Sequence, residues 1–157
     1  MLGKLNSVEI DEVIQHQVIG RLGCHADGIT YVVPVSYAYD GEYVYVHSGE
    51  GLKMEMMRKN PKVCFQIDQF FNMANWRCVV AWGEFEELHD KKDRDFALQK
   101  LMGRILPFAS SETTHLTPHW PFPTTDLESI EGIVFRIKLE KKTGRFEKSI
   151  PASVFAT

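Results

Sequence analysis

The segment from His47 to Lys53 has the residue types and spacing of an anion-binding turn. It reads His-Ser-Gly-Glu-Gly-Leu-Lys and lies between an alternating strand pattern at 43–46 and helix-forming residues at 54–59. The first N–H groups of a helix have no internal acceptor and carry partial positive charge. Ser48 and Lys53 beside them would complete a phosphate site. The alternative interpretation is an ordinary surface turn with a solvated lysine.

His47 is a second chemical group at this turn. Because side chains alternate along a strand, His47 shares a face with Tyr43 and Tyr45, whereas Val46 and Ser48 share the opposite face. Its imidazole could donate to a ligand oxygen or titrate near neutral pH. A histidine at a strand end could equally be satisfied by the backbone.

Other candidate groups point to structure rather than to chemistry. His115 and His119 are four residues apart, but Pro118 interrupts a helix there and no third ligand is near, so we expect no metal site. The acidic residues over 84–90 predict a solvated surface. The cysteines are three in number and form no pair close in sequence, so they suggest neither a disulfide framework nor a four-cysteine zinc site; they are Cys24, Cys64 and Cys78.

Length, charge and hydropathy bound the class of protein. The chain has 157 residues, enough for one domain with a core, and we assign 1–157 to a single domain. Its net charge of −3 comes from interspersed charges, which argues against a nucleic-acid partner. No apolar run reaches the length of a membrane span, and the first residues have no signal-peptide core. We therefore expect a cytoplasmic location.

Strands dominate the predicted elements, and hairpins dominate the connections between them. Asp27-Gly28 and Asp40-Gly41 are typical hairpin turns, and Thr143-Gly144 marks another turn. Pro34 indicates an edge or a bulge, and Gly83 a bulge or bend. The predicted strands are 18–26, 29–39, 43–47, 62–68, 77–88 and 131–139, and the predicted helices are 7–17, capped by Ser7, 52–59 and 91–105. Closure of six such strands into a barrel would remove exposed edges.

Residues 106–130 differ from the rest of the chain. They contain four prolines with serine and threonine between them. Residues 69–75 are a second segment without a clear hydrophobic period. A loop as long as 106–130 in a small domain is usually functional or wraps a partner. This arm also contains the aromatic residue Trp120.

Five segments in order resemble the FMN-binding split barrels, and more narrowly the pyridoxamine 5′-phosphate oxidase-related proteins of the nitroimidazole-resistance type. The resemblance extends over about residues 7–105. The segments are Arg21-Leu22-Gly23, Tyr31-Val32-Val33-Pro34-Val35, Tyr45-Val46-His47-Ser48 with Gly51-Leu52-Lys53, Asn60-Pro61-Lys62-Val63-Cys64-Phe65, and Trp76-Arg77-Cys78-Val79-Val80 before Gly83.

The resemblance implies a mainly β, six-stranded antiparallel split barrel that forms a homodimer, with FMN in clefts between the subunits. It implies that the turn at 46–53 holds the phosphate, that 34–36 supports the flavin ring through backbone, and that 77–78 lies beside ring and phosphate. With Trp120, the expected cofactor-binding residues are Pro34, Val35, Ser36, Val46, His47, Ser48, Leu52, Lys53, Arg77, Cys78 and Trp120.

The function that this resemblance implies is an FMN-dependent oxidoreductase. It would pass electrons from a reduced nicotinamide to a small electrophilic acceptor such as a nitroaromatic, and the flavin itself would do the redox chemistry. Val33 stands where the true oxidases carry an arginine, so we expect no pyridoxamine-phosphate oxidase activity. The alternatives are a non-catalytic flavin- or haem-binding protein, with His47 or an arm histidine as haem ligand, and a flavin-free dimeric scaffold.

Overall fold

Antiparallel β-strands dominate the fold. A computed structural model describes residues 1–106 and 119–149. The strands in this part of the chain are β1 (Leu2–Lys4), β2 (Ile19–Ala26), β3 (Ile29–Ser36), β4 (Ala38–Tyr39), β5 (Tyr43–Ser48), β6 (Lys62–Asn72), β7 (Asn75–Glu87) and β8 (Ile133–Glu147). The helices are α1 (Ser7–His16), α2 (Leu52–Lys59) and α3 (Lys91–Met102), with a 3₁₀ turn at Leu127–Ser129. None of these described helices combines the length and the apolarity that crossing a membrane requires.

The strands form one sheet that curls back on itself. Their order is β3-β2-β6-β7-β8-β5-β4, and β1 pairs with β8. The first and last strands of this order, β3 and β4, are separated in sequence only by Tyr37, and two residue steps span roughly 7 Å at most. The predicted mainly β split-barrel class is confirmed, but the described strands number eight rather than six, because 29–39 divides in two and β1 is added.

Tyr37 explains why the predicted long strand divides. Its N–H donates to the carbonyl of Val18 at 3.0 Å, and its hydroxyl donates to the carbonyl of Ile14 at 2.6 Å. Its ring is buried and packs edge-on against Phe65, with 5.2 Å between the ring centroids. Tyr37 therefore fixes the point where the chain ends its pairing with β2 in β3 and begins its pairing with β5 in β4.

The β6–β7 hairpin is longer than predicted. Residues 69–75 belong to the ends of the two strands and the turn at Met73–Ala74. Phe70, Phe71 and Met73 are exposed, so this end of the hairpin extends past the core. The expected alternation of buried and exposed residues is absent there, which is why the sequence pattern did not show these strand ends.

The structure confirms the prediction made at one glycine, in β7, and contradicts the prediction made at another, in β8. At Gly83 the β7–β8 register shifts, and the carbonyl of Lys138 lies where a side chain would be, so the predicted bulge is confirmed. The turn predicted at Thr143-Gly144 is wrong, because β8 continues through it. A Cβ on Gly144 would lie 2.7 Å from Leu5 and 2.8 Å from Ile10, so this glycine serves close packing instead.

Buried side chains form two clusters. The first fills the barrel interior and includes Leu22, Phe65, Ile67, Val79 and Phe135. The second lies where α3 and the return of the arm cover the outer face of β5, and it includes Tyr45, Leu98, Leu101, Phe122 and Val134. The N-cap of α1 is Asn6 in a capping box with Glu9, not the predicted Ser7, and α3 ends at Met102 rather than 105.

Candidate functional site

The turn between β5 and α2 leaves backbone donors open. The N–H groups of Met54 and Glu55 donate to the carbonyl of Gly51, at 3.1 and 3.2 Å. The N–H groups of Gly51, Leu52 and Lys53 find no acceptor among the described residues. A Cβ placed on Gly49 or Gly51 would meet no atom within 4 Å, so the space above the turn is open. Such a helix start favours an anion.

Lys53 is the cation on α2 that is free of carboxylates in the described part of the chain. Lys59 pairs with Asp27 at 2.6 Å, and Arg58 pairs with Glu50 and Glu87. Lys53, which is half-buried in the first turn of α2, forms no ion pair with any described residue. Its ammonium is therefore free to offset the charge of an anion.

Glu50 is the one carboxylate within the turn, and Arg58 neutralises it. The Nη1 and Nη2 atoms of Arg58 each donate to a different oxygen of Glu50 at 2.8 Å. The Nε and Nη2 atoms also donate to Glu87 at 2.9 Å. These hydrogen bonds from Arg58 lower the pKa of Glu50 and of Glu87 and raise the pKa of Arg58.

His47 is bonded to the returning arm. Its Nε2 lies 2.6 Å from the carbonyl oxygen of Glu131, and because a carbonyl only accepts, Nε2 carries the proton. The ring of Phe122 packs edge-on against the imidazole with 5.2 Å between centroids. Gly132, at φ 98°, passes so close that a Cβ there would lie 2.9 Å from Nε2. Nδ1 is the ring nitrogen left for a ligand.

The strand expected to support a flavin ring contacts an arginine that sequence reasoning missed. Pro34 and Ser36 are exposed on the outer face of β3, whereas Val35 faces the core. Arg104 donates to the hydroxyl of Ser36 and, at 3.2 Å, to the carbonyl of Tyr37. Burial lowers the pKa of Arg104. No pattern in the sequence at the end of α3 points to this contact.

On β7, Arg77 and Cys78 have different surroundings. Arg77 lies 3.7 Å from Glu12 and lines a cavity of about 310 Å³ between the N-terminus and the end of β8. The Nε2 atom of Gln66 lies 3.3 Å from the Sγ atom of Cys78 and 3.3 Å from Asp68. Gln66 was also missed; the register of the β6–β7 hairpin pairs Cys78 with Asp68 and Gln66 with Val80, which makes Gln66 a diagonal neighbour of Cys78.

Within one chain, the expected cofactor-binding residues form separate groups. Val46, His47, Ser48, Leu52 and Lys53 lie together at the β5–α2 turn, with Val46 buried in the core. The sheet order puts β2 and β6 between the segments 34–36 and 77–78. Trp120 is about half exposed at the start of the described part of the arm.

No cluster of metal ligands is present in residues 1–106 and 119–149. Within these residues no three side chains of histidine, cysteine, aspartate or glutamate lie close enough to hold a metal ion. His115, one of the two arm histidines, lies outside the described residues. The described cysteines are all free thiols, and burial raises the pKa of Cys24 and of Cys64.

An apolar groove crosses the outer face of four strands. Val32, Gly23, Cys64 and Trp82 are consecutive partners across β3, β2, β6 and β7 and form its floor. The groove encloses about 780 Å³, and its other lining residues include the charged groups Arg21, Lys62, Glu84 and Glu140. Val32 and Trp82 are both exposed in the single chain. We call this surface the four-strand groove.

Comparison with known proteins identifies the family. The family model described as pyridoxamine 5′-phosphate oxidase matches residues 6–146. An FAD-binding protein of Mesorhizobium loti is 32% identical over 95% of this chain and 98% of that chain, with a TM-score of 0.71. A candidate 5-nitroimidazole antibiotic resistance protein of Bacteroides thetaiotaomicron shares the fold, with 21% identity, 93% and 87% of the two chains covered, and a TM-score of 0.67.

A curated relative matches part of the chain. The uncharacterized protein RA0666 of Rhizobium meliloti is 39% identical over 80 residues, which are 51% of this chain and 53% of the relative. The aligned part thus spans about half the length of that relative. The family model and the Mesorhizobium loti structure each cover most of the chain. The chain belongs to the pyridoxamine 5′-phosphate oxidase family.

Proposed function

We propose that this protein binds FMN with its phosphate at the β5–α2 turn and acts as an oxidoreductase. The observation that carries the proposal is the open helix start with the unpaired cation of Lys53 beside it, in the described part of the chain. The N–H groups of Gly51, Leu52 and Lys53 would donate to the phosphate oxygens, and the Lys53 ammonium would offset their charge. Bound flavin would supply the redox chemistry.

A homodimer is part of the proposal. The segments 34–36 and 77–78 lie on strands that are not neighbours, and the four-strand groove exposes an apolar row between them. A second copy seated on this groove would bury the row and bring residues of both chains to each flavin. Trp120 of one copy would then cover the flavin of the other.

The proposed reaction transfers electrons from a reduced nicotinamide to a small electrophilic acceptor, such as a nitroaromatic compound. Two similarities support it: the FAD-binding protein of Mesorhizobium loti and the candidate 5-nitroimidazole resistance protein share this fold. The residues of this chain would bind and orient the flavin and limit access of water to it.

Flavin binding is tested on the purified protein. We expect a flavin absorbance spectrum, release of a molecule with the mass of FMN, and a rise in melting temperature on FMN addition, since a ligand at about 100 times its Kd stabilises by about 2.7 kcal/mol. Release of FAD would correct the nucleotide and retain the turn as phosphate site. A colourless protein whose melting temperature ignores both nucleotides would refute the proposal.

Lys53→Ala tests the site itself. Loss of a charge-assisted contact should weaken FMN binding by about 1.5–3 kcal/mol, measured by quenching of flavin fluorescence. Lys59→Ala removes a cation from the same helix that is paired with Asp27, and it should leave the affinity nearly unchanged. Equal losses in both variants would show a general charge effect.

Bleaching of the bound flavin by NADH or NADPH, and its reversal by a nitroaromatic, then tests the reaction.

A further inference from the structure

We infer that Arg58 is a positioning residue for the phosphate site, because it restrains and neutralises the carboxylate of Glu50 inside the anion-binding turn. The inference rests on the proposed flavin function and deepens it. Glu50 lies between Ser48 and Lys53 in sequence, where a free carboxylate would repel a phosphate. The sequence alone gave no reason for an acidic residue in an anion site.

The geometry of Arg58 is that of a fork holding two carboxylates. Its two terminal nitrogens bond both oxygens of Glu50 at 2.8 Å, and its Nε and Nη2 bond Glu87 on β7 at 2.9 Å. The fork therefore ties the turn to the sheet through one guanidinium. A lysine could not make this set of planar bonds.

The exposed fractions of the two side chains indicate that their pairing matters more for the site than for folding. The Glu50 side chain is 66% exposed and that of Arg58 is 38% exposed. Exposed ion pairs add little to stability, so loss of the Arg58–Glu50 pair should leave the fold intact. The Glu87 side chain is only 18% exposed and loses its partner in the same variant, so the folding of R58Q is checked before binding is measured. The main consequence of the change should be a free Glu50 carboxylate near Lys53 and the open N–H groups.

A double-mutant cycle with two ligands tests the inference. Kd values for FMN and for riboflavin, which lacks the phosphate, are measured for the wild type, R58Q, E50Q, R58Q/E50Q and K59Q. We expect R58Q to weaken FMN binding about tenfold and the double variant to return within about threefold of the wild type. E50Q and K59Q should bind FMN within about threefold of the wild type, and riboflavin should bind R58Q and the wild type alike.

The outcomes distinguish the two levels of proposal. A wild type that binds neither ligand refutes the proposed function. A wild type that binds FMN while R58Q binds it equally well refutes only the role of Arg58. Equal losses for FMN and riboflavin in R58Q, or no recovery in the double variant, would also overturn it by showing a structural effect. If R58Q does not fold, R58K, which keeps the charge without the fork, should still bind FMN more weakly than K59Q.

Discussion

His47 shows how a single residue can be at the right place and still be engaged elsewhere. Its position near the end of β5 puts it beside the β5–α2 turn, as the sequence predicted. In the structure its Nε2–H donates to the carbonyl of Glu131, and its ring contacts Phe122. A haem ligand role through Nε2 would break this bond, and a phosphate contact through Nδ1 stays a prediction.

At this scale we predict that His47→Ala destabilises the protein more than it weakens flavin binding. Loss of the bond to Glu131 and of the contact with Phe122 should lower the free energy of unfolding by about 1–2 kcal/mol in urea titrations. His25→Ala is the matched control, because His25 is exposed and contacts Thr30 across a hairpin, and it should cost less than about 0.5 kcal/mol. A loss of FMN affinity in His47→Ala as large as in Lys53→Ala would instead place His47 on the phosphate.

At the scale of elements, the bulge at Gly83 determines how β7 and β8 run together. Both strands are long, and their register changes between Trp82 and Gly83. One end of β8 pairs with β5 and the other end pairs with β1, and the register shift lies between these two parts of the strand. A single long strand thereby connects the site-bearing strand β5 to the β6–β7 hairpin.

Gly83→Ala should disrupt this arrangement. The new methyl group would collide with the carbonyl of Lys138, which is backbone and cannot rotate away. We expect a loss of about 1–3 kcal/mol in the free energy of unfolding, measured by chemical denaturation. Gly49→Ala is the control, since its Cβ would meet no atom within 4 Å, and in the absence of ligand it should leave the free energy of unfolding nearly unchanged. Similar stability of the two variants would contradict the close approach at Gly83.

At the scale of the whole molecule, the four-strand groove is the surface that a second copy would cover. Its floor is a row of one residue from each of four strands, and Val32 at the edge of the row is 63% exposed. Stable interfaces of standard size bury about 800 Å² per partner, more than one such row supplies. The exposed tip of the β6–β7 hairpin and Trp120 could add to the buried area.

Val32→Glu tests the dimer against a closely matched change. A carboxylate at the end of a buried apolar row would raise the dimer dissociation constant by at least about tenfold, because burying an unpaired charge is costly. Val8→Glu makes the same substitution on α1, where Val8 is 65% exposed, and it should leave the dimer intact. Sedimentation measures both. A dimer that persists in Val32→Glu, or a monomeric wild type, would rule out this groove as the interface.

The local elements and the proposed phosphate turn follow from sequence patterns alone. Asp27-Gly28 with positive φ at both residues, the helix at 52–59, and the shared face of Tyr45 and His47 all follow from turn chemistry and side-chain periodicity. These features depend on residues close in the chain, and so did the resemblance that pointed to the family. The open N–H groups and Lys53 were predictable for the same reason.

Only the tertiary structure decided which distant residues meet. Arg104 reaches Ser36 across 68 positions, Gln66 reaches Cys78 across a hairpin whose tip has no buried face, and His47 bonds Glu131 across 84. Arg58 on α2 binds both Glu50 in the preceding turn and Glu87 on β7. Such contacts depend on strand order and register, which side-chain periodicity within one segment does not encode. The proposed anion site could therefore be predicted from the sequence, whereas the pairing of its carboxylate with Arg58 could not.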